Sequence, residues 1–384
     1  MFILDVRPKI EIESIKPYPL GKTLEDIQKE YNPKKLRKLS DNENVYGYSP
    51  LVAEELHRSI HSLSLYPDGT TEQLREQLSQ HNKLSKDYFL ISNGSEELIR
   101  LLTRAFITQN DEAIMAEITF PIYRSNVIIE GGLPKLIPLV NGAHDLHGMY
   151  EAITEKTKMI FICNPNNPTG TCVDPLELKD FIEKIPSHIL VILDEAYDEY
   201  MEEKDKINSI SLLASFSNLV ILRTFSKIYG LAALRVGYGM MNPLVLDQLI
   251  KVKEVFNVNQ LAQNAAVIAL KDQEFIQVCA QKNLIERNYL SAKLKDFHMS
   301  FFPSQTNFLF IYNLRDTEGL NEELLRMGLV VRFFPFPQYN GCMRLTLGTR
   351  QDHEELLEVF QRFYPIQETV DNGSNHGGII TREG

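Results

Sequence analysis

The chain has 384 residues, 43% of them hydrophobic and 24% charged, with a formal net charge of −11. That length can bury a large core, as two domains or as one large domain with a smaller appendage, and the acidic balance argues against non-specific nucleic-acid binding. The four cysteines form no CxxC pair and the histidines lack ligand spacing, which argues against a metal site or a disulfide framework. No apolar run approaches membrane-span length, and Met1 to Pro8 lack a basic segment followed by an apolar core, so a cytoplasmic protein with reduced thiols and no membrane partner is expected.

Residues 1–39 are polar and interrupted by proline, and are expected to pack on a smaller C-terminal domain. A large domain is expected over 40–270. There, Phe89-Leu90-Ile91 reads as a strand end, followed by Asn93-Gly94-Ser95-Glu96-Glu97 and a helical pattern through Leu98, Leu101, Leu102 and Phe106. Ala113-Ile114-Met115 and Leu136-Ile137-Pro138 read as short strands. Met159–Cys163, Leu190–Leu193 and Leu219–Leu222 are continuous apolar runs of strand length, and Arg235–Met240 adds another. Such runs separated by helices predict an α/β fold, a mostly parallel sheet covered on both faces. One long helical stretch is expected from Pro243 to Leu270. A smaller α/β domain is expected over 271–365, with strands near Phe308-Leu309-Phe310 and Arg344-Leu345-Thr346, and a flexible polar tail over 366–384.

Asp194, in Asp194-Glu195-Ala196-Tyr197, and Lys227, in Arg223-Thr224-Phe225-Ser226-Lys227, each follow an apolar strand. Ligands in open α/β sheets sit beyond the carboxyl ends of the strands, so both side chains can reach one crevice. A lysine there can form a Schiff base with an aldehyde, and a buried carboxylate can hold a pyridinium nitrogen protonated. Asn93-Gly94-Ser95-Glu96 offers backbone amides at a helix start for a phosphate, with Ser226 and Arg235 to complete a cup. Together these residues describe a pyridoxal phosphate (PLP) site. Tyr197 and Asn167, within Asn164-Pro165-Asn166-Asn167-Pro168-Thr169-Gly170, can reach the cofactor's 3′-oxygen, and Phe120 can stack on its ring. Each residue alone also has an ordinary reading: a cap for Asp194 or Ser95, a solvated surface for Lys227 or Arg235, core packing for Phe120 or Tyr197, a rigid turn for Asn167. Their order and number carry the inference.

From Asp41-Asn42-Glu43-Asn44 to Leu345-Thr346-Leu347-Gly348-Thr349 the sequence resembles the fold-type I PLP-dependent aminotransferases, within them the histidinol-phosphate aminotransferase branch. The resemblance rests on Asn164 to Gly170, Asp194 to Tyr197, Arg223 to Lys227 and Leu231 to Tyr238. It implies Lys227 as the cofactor-linked lysine and proton shuttle, and Asp194 at the pyridinium nitrogen. It implies Asn167 and Tyr197 at the 3′-oxygen, Phe120 as the stacking ring, and Gly94, Ser95, Glu96, Ser226 and Arg235 as the phosphate cup. Tyr66, in Tyr66-Pro67-Asp68, matches a tyrosine that reaches the phosphate from the other subunit, which implies a homodimer with shared active sites. Arg344 matches the arginine that grips the substrate carboxylate, with Arg332 assisting and Tyr46 and Asn167 beside the substrate.

The sequence departs from the family at two places. The usual Asn-Pro-Tyr-Gly reads Asn44-Val45-Tyr46-Gly47, and Arg332 is followed by the aromatic stretch Phe333-Phe334-Pro335-Phe336-Pro337. That stretch reads as small-domain packing or as a pocket for an aromatic side chain. The expected reaction is amino transfer between histidinol phosphate and 2-oxoglutarate. The alternatives are an aromatic or specialised-biosynthesis aminotransferase, an amino-acid phosphate decarboxylase of the same fold, or a PLP-binding regulator. The last usually carries a DNA-binding module, for which 1–40 shows no pattern.

Overall fold

The computed structural model describes residues 6–17, 19 and 21–365. The expected tail and the first five residues lie outside them. Strand β1 (Arg37–Lys38) comes first. Strands β2 (Phe89–Ser92), β3 (Glu112–Ala116), β4 (Leu133–Ile137), β5 (Thr157–Cys163), β6 (Leu190–Asp194), β7 (Leu219–Thr224) and β8 (Gly237–Met241) then build one sheet in the order β2-β8-β7-β6-β5-β3-β4. Pairs β3–β4, β3–β5, β5–β6 and β6–β7 are parallel, while β8 runs against both its neighbours. A loop rather than a crossover helix joins β7 to β8, which only an antiparallel pair permits.

The apolar runs are continuous because both faces are covered. Ile160, Ile162, Val191 and Leu193 enter one core, and Met159, Phe161, Leu190 and Ile192 enter the other. The alternation is the strand period of two with no solvent face.

The expected single helix over Pro243–Leu270 is corrected to two, Pro243–Val252 and Gln260–Lys271. Phe256 takes a left-handed φ of 58° between them, and Asn259 caps the second by accepting from the Ala262 amide. Asn257 Nδ2 donates to Ile91 O and Glu97 Oε2, so tertiary contacts hold the break. The last strand also starts later than expected: Arg235 stands outside β8 with φ 53°.

After the helix Gln273–Asp296 come β9 (Ser300–Phe301), β10 (Phe308–Tyr312), β11 (Leu329–Val330), β12 (Arg332–Phe334) and β13 (Cys342–Thr346). Strands β12-β13-β10-β9 form an antiparallel sheet, and β1 pairs with β11. The helices Thr317–Arg326 and Arg350–Phe363 share a core with this sheet. The segment before residue 40 touches both halves. Residues Ile10–Ser14 lie against the helix Ile122–Ile129, and Lys9 Nζ donates to Ile129 O, whereas β1 pairs with β11. No helix among the described residues is long and apolar enough to cross a membrane.

Candidate active site

The carboxyl ends of β5, β6 and β7 open on one cleft of about 200 Å³. Ser95, Glu96, Phe120, Asn167, Asp194, Tyr197, Ser226, Lys227 and Arg235 all line it. The parallel register explains the convergence: Cys163 lies beside Asp194, and Asp194 beside Leu222, so the loops that follow leave the sheet together.

Asp194 ends β6 and is buried. Its Oδ2 accepts the Tyr123 hydroxyl at 2.6 Å and its Oδ1 the Ala196 amide at 3.1 Å. Burial pushes its carboxyl up, while Tyr123, the Ala196 N–H and the charge of Lys227 pull it down. Lys227 Nζ faces the cleft and donates to Asp41 O at 3.0 Å. Enclosure by its neighbours first, and the Arg344 charge second, lower its pKa to about 8. Tyr197 is raised by burial, against the influence of Arg344 and a hydrogen bond from Asn42.

The helix Ser95–Phe106 begins at the mouth of the cleft, with Gly94 as its N-cap rather than Ser95. Gly94 has φ 77°, a backbone conformation that favours glycine, and a Cβ there would lie 2.7 Å from Arg235 Nη2, so the guanidinium would have to shift. Arg235 Nη1 donates to Ser226 Oγ at 3.4 Å. First-turn amides, a hydroxyl and a guanidinium thus meet where an anion would be held.

Arg344, on β13, enters from the small sheet. Its Nη1 donates to Asn167 Oδ1 at 2.6 Å and its Nη2 to Ser40 O at 2.5 Å. Beyond it a cavity of about 320 Å³ is lined by Phe120, Arg124, Asn167, Arg332, Phe334, Phe336 and Arg344 among others. Phe334 and Phe336 stack at 5.0 Å and pack on Phe310, so the aromatic stretch serves both the small-domain core and the cavity wall. Arg332 Nη2 donates to Pro19 O.

Two expected side chains line neither this cleft nor the cavity beyond Arg344 in their own chain. Tyr46 lines a separate shallow groove with Lys282, Glu286 and Arg350. Asn44 causes this: its Nδ2 donates to Ile228 O and its Oδ1 accepts the Tyr46 amide, which turns the chain away. Tyr66 is 83% exposed and stacks on Phe256 at 4.8 Å. Conversely, Tyr123 and Asn42 were not singled out. Tyr123 stands three residues after Phe120, and Asn42 lies within the Asp41–Asn44 motif. Only their positions in those motifs could have signalled them.

The residues fit PLP. Asp194 is a buried carboxylate whose hydrogen-bond partners are a neutral phenol and a peptide N–H, an environment suited to a protonated ring nitrogen. The Gly94–Arg235 cradle suits its phosphate.

Residues 34–360 match the aminotransferase class I and II family. The chain belongs to that family. It is a PLP-dependent aminotransferase. This aminotransferase is 42% identical over 355 residues to the histidinol-phosphate aminotransferase of Bacillus subtilis (strain 168), covering 92% of this chain and 99% of the relative. It is 41% identical over 354 residues to that of Anoxybacillus flavithermus, covering 92% and 95%. Among solved structures, the histidinol-phosphate aminotransferase from Sinorhizobium meliloti in complex with pyridoxal-5′-phosphate shares the fold, with a TM-score of 0.85, 24% identity, and coverage of 93% and 98%.

Proposed function

We propose that this aminotransferase moves the amino group of histidinol phosphate to 2-oxoglutarate. The observation that carries this reading is the 41–42% identity to histidinol-phosphate aminotransferases over more than nine-tenths of both chains. The arginines agree with it. Histidinol phosphate bears a phosphate ester where an amino acid bears its α-carboxylate, so Arg344 and Arg332 would hold a dianion from the donor and a carboxylate from the acceptor.

Bound PLP supplies an electron sink for the pair released when the donor's Cα–H bond breaks. Ser95, the first-turn amides, Ser226 and Arg235 would hold its phosphate, with Gly94 and Glu96 framing the turn. Asp194 would keep its ring nitrogen protonated, Tyr197 and Asn167 would donate to its 3′-oxygen, and Phe120 would pack on its ring. Lys227 Nζ, once neutral, would take the proton from the donor's Cα and hold it for return. Its lowered pKa suits that task. Arg344 fixes the anion so that Cα faces Lys227 Nζ.

The assembly in this reading is a homodimer in which Tyr66 reaches the partner's phosphate cup. Its exposure, together with exposed Leu63, Leu65 and Val255, supports a covered surface there. A particle with the mass of a single chain in sedimentation would remove this part.

A second donor class, phenylalanine and tyrosine, is favoured by the Phe334–Phe336 stack in the cavity beyond Arg344. One experiment separates the readings: the PLP-loaded protein is mixed with histidinol phosphate, phenylalanine, tyrosine or glutamate, and conversion to pyridoxamine phosphate is followed by absorbance. Fast conversion with histidinol phosphate but slow conversion with the aromatic donors is expected. The reverse order would move the function to aromatic amino acids. Carbon dioxide release from an amino-acid phosphate, without amino transfer, would replace the reading by a decarboxylase.

A further inference from the structure

The phenol expected at the cofactor's 3′-oxygen is itself held by another side chain. Asn42 is buried and has a φ of 60°, the left-handed region that asparagine tolerates better than most residues. All of its polar groups are engaged. Its backbone N–H donates to Thr346 Oγ1 at 3.0 Å, and its carbonyl accepts from Asn307 Nδ2 at 3.1 Å. The Thr346 hydroxyl gives its hydrogen to Asn42 Oδ1 at 3.2 Å, which turns the amide nitrogen the other way. That nitrogen donates to Tyr197 Oη at 2.8 Å. Thr346 ends β13, two residues after Arg344, and Asn307 directly precedes β10. The amide is therefore seated on the small sheet and aimed at a phenol in the segment that follows β6.

We propose that Asn42 is a positioning residue for the transamination: by donating to Tyr197 Oη from a seat on β13, it occupies the phenol's acceptor side and directs the Tyr197 O–H into the cleft. This deepens the reading above and rests on the role given there to Tyr197. A phenol oxygen that accepts a hydrogen bond is the stronger donor through its own hydrogen. Stronger donation favours an anionic 3′-oxygen, which lets the lysine-linked cofactor lose its proton at lower pH. The other titratable or charged groups around Tyr197 include Arg344 on β13, Cys163 and Asp194 at the ends of β5 and β6, Tyr200 three residues on, and Lys227 after β7.

The test is a spectrophotometric pH titration of the lysine-linked cofactor in the PLP-loaded holoenzyme. Four proteins are compared: the native chain, Asn42→Gly, Tyr197→Phe and the double variant. Glycine keeps the left-handed backbone and removes only the amide. Asn42→Gly should move the midpoint up by roughly half to one pH unit, the scale of one neutral hydrogen bond. Tyr197→Phe should also move it up, and adding Asn42→Gly to that variant should move it no further. A folded Asn42→Gly protein with an unchanged midpoint overturns the inference, because a merely structural role would lower thermal stability alone. Equal shifts in both backgrounds overturn it too, since Asn42 would then act by a route other than Tyr197. No shift in Tyr197→Phe itself overturns the role of Tyr197 and the inference together, while the donor half-reaction still tests amino transfer independently. If Asn42→Gly fails to fold, Asn42→Asp takes its place. An acceptor opposite Oη captures the phenol hydrogen, and the midpoint should rise; an unchanged midpoint overturns the proposal.

Discussion

Tyr123 gives its hydroxyl hydrogen to Asp194 Oδ2 at 2.6 Å, deep under the cleft. Tyr123 also stacks on Phe161 at 4.8 Å and meets Phe120 edge-on at 5.6 Å. One phenol thereby locks the carboxylate expected at the ring nitrogen and backs the ring expected to cover the cofactor.

Replacing Tyr123 by Phe keeps the packing and removes that donor. Its hydrogen bond lowers the Asp194 pKa, so its loss raises it and weakens the hold on a protonated ring nitrogen. A bond to a buried carboxylate is worth about 1.5–3 kcal/mol, so turnover and PLP affinity should each fall by about 10-fold or more. Equilibrium dialysis of PLP and steady-state kinetics measure both. Native values would mean that the Ala196 amide alone suffices.

Lys227→Ala removes the proposed base. Positioned proton transfer contributes about 10²–10⁴-fold, so the donor half-reaction should slow by at least that much while PLP still binds without a covalent link. A rate within 10-fold of native would exclude Lys227 as the base. The same residue carries a pH signature in the cofactor-free protein. Its pKa falls from 10.5 to about 8 on folding. Between those values the unfolded chain holds the proton and the folded chain does not, so the stability contribution rises with pH across that window. Lys227→Met should lose this rise. Identical stability–pH curves for the two proteins between pH 8 and 10.5 would refute the lowered pKa.

Arg344→Lys keeps the charge and loses the planar fork. Losing one charge-assisted hydrogen bond, about 1.5–3 kcal/mol, should raise KM for histidinol phosphate and for 2-oxoglutarate by roughly 10–100-fold. Arg332→Gln should act unequally. A phosphate ester carries about −1.5 to −2 charge near neutral pH, so KM for histidinol phosphate should rise more than KM for glutamate. Equal effects on the two donors would take Arg332 out of phosphate recognition.

Much of this site was legible in the sequence because its chemistry sits at strand ends. Asp194 ends β6 and Lys227 follows β7 by three residues, so local apolar runs already located both. The residues proposed for the phosphate cup, Gly94, Ser95, Ser226 and Arg235, are likewise marked by the turns that present them. Helix continuity was less legible. Within 243–270 the cap residue Asn259 is a local mark of the break, while Asn257 is drawn out by Ile91 and Glu97, about 160 residues away.

The sequence by itself determined the cofactor chemistry, the strand runs and the order of the motifs, since each depends on residue type and short-range period. Only the tertiary structure decided that Tyr123 meets Asp194, that Asn42 meets Tyr197, and that Tyr46 turns away from the cleft. Those first two pairs are separated by 71 and 155 residues. Their meeting follows from the placement of β5 between β3 and β6 and from the seating of residues 39–44 on β13. Strand order and domain docking are set by the burial of whole faces, which no local pattern encodes.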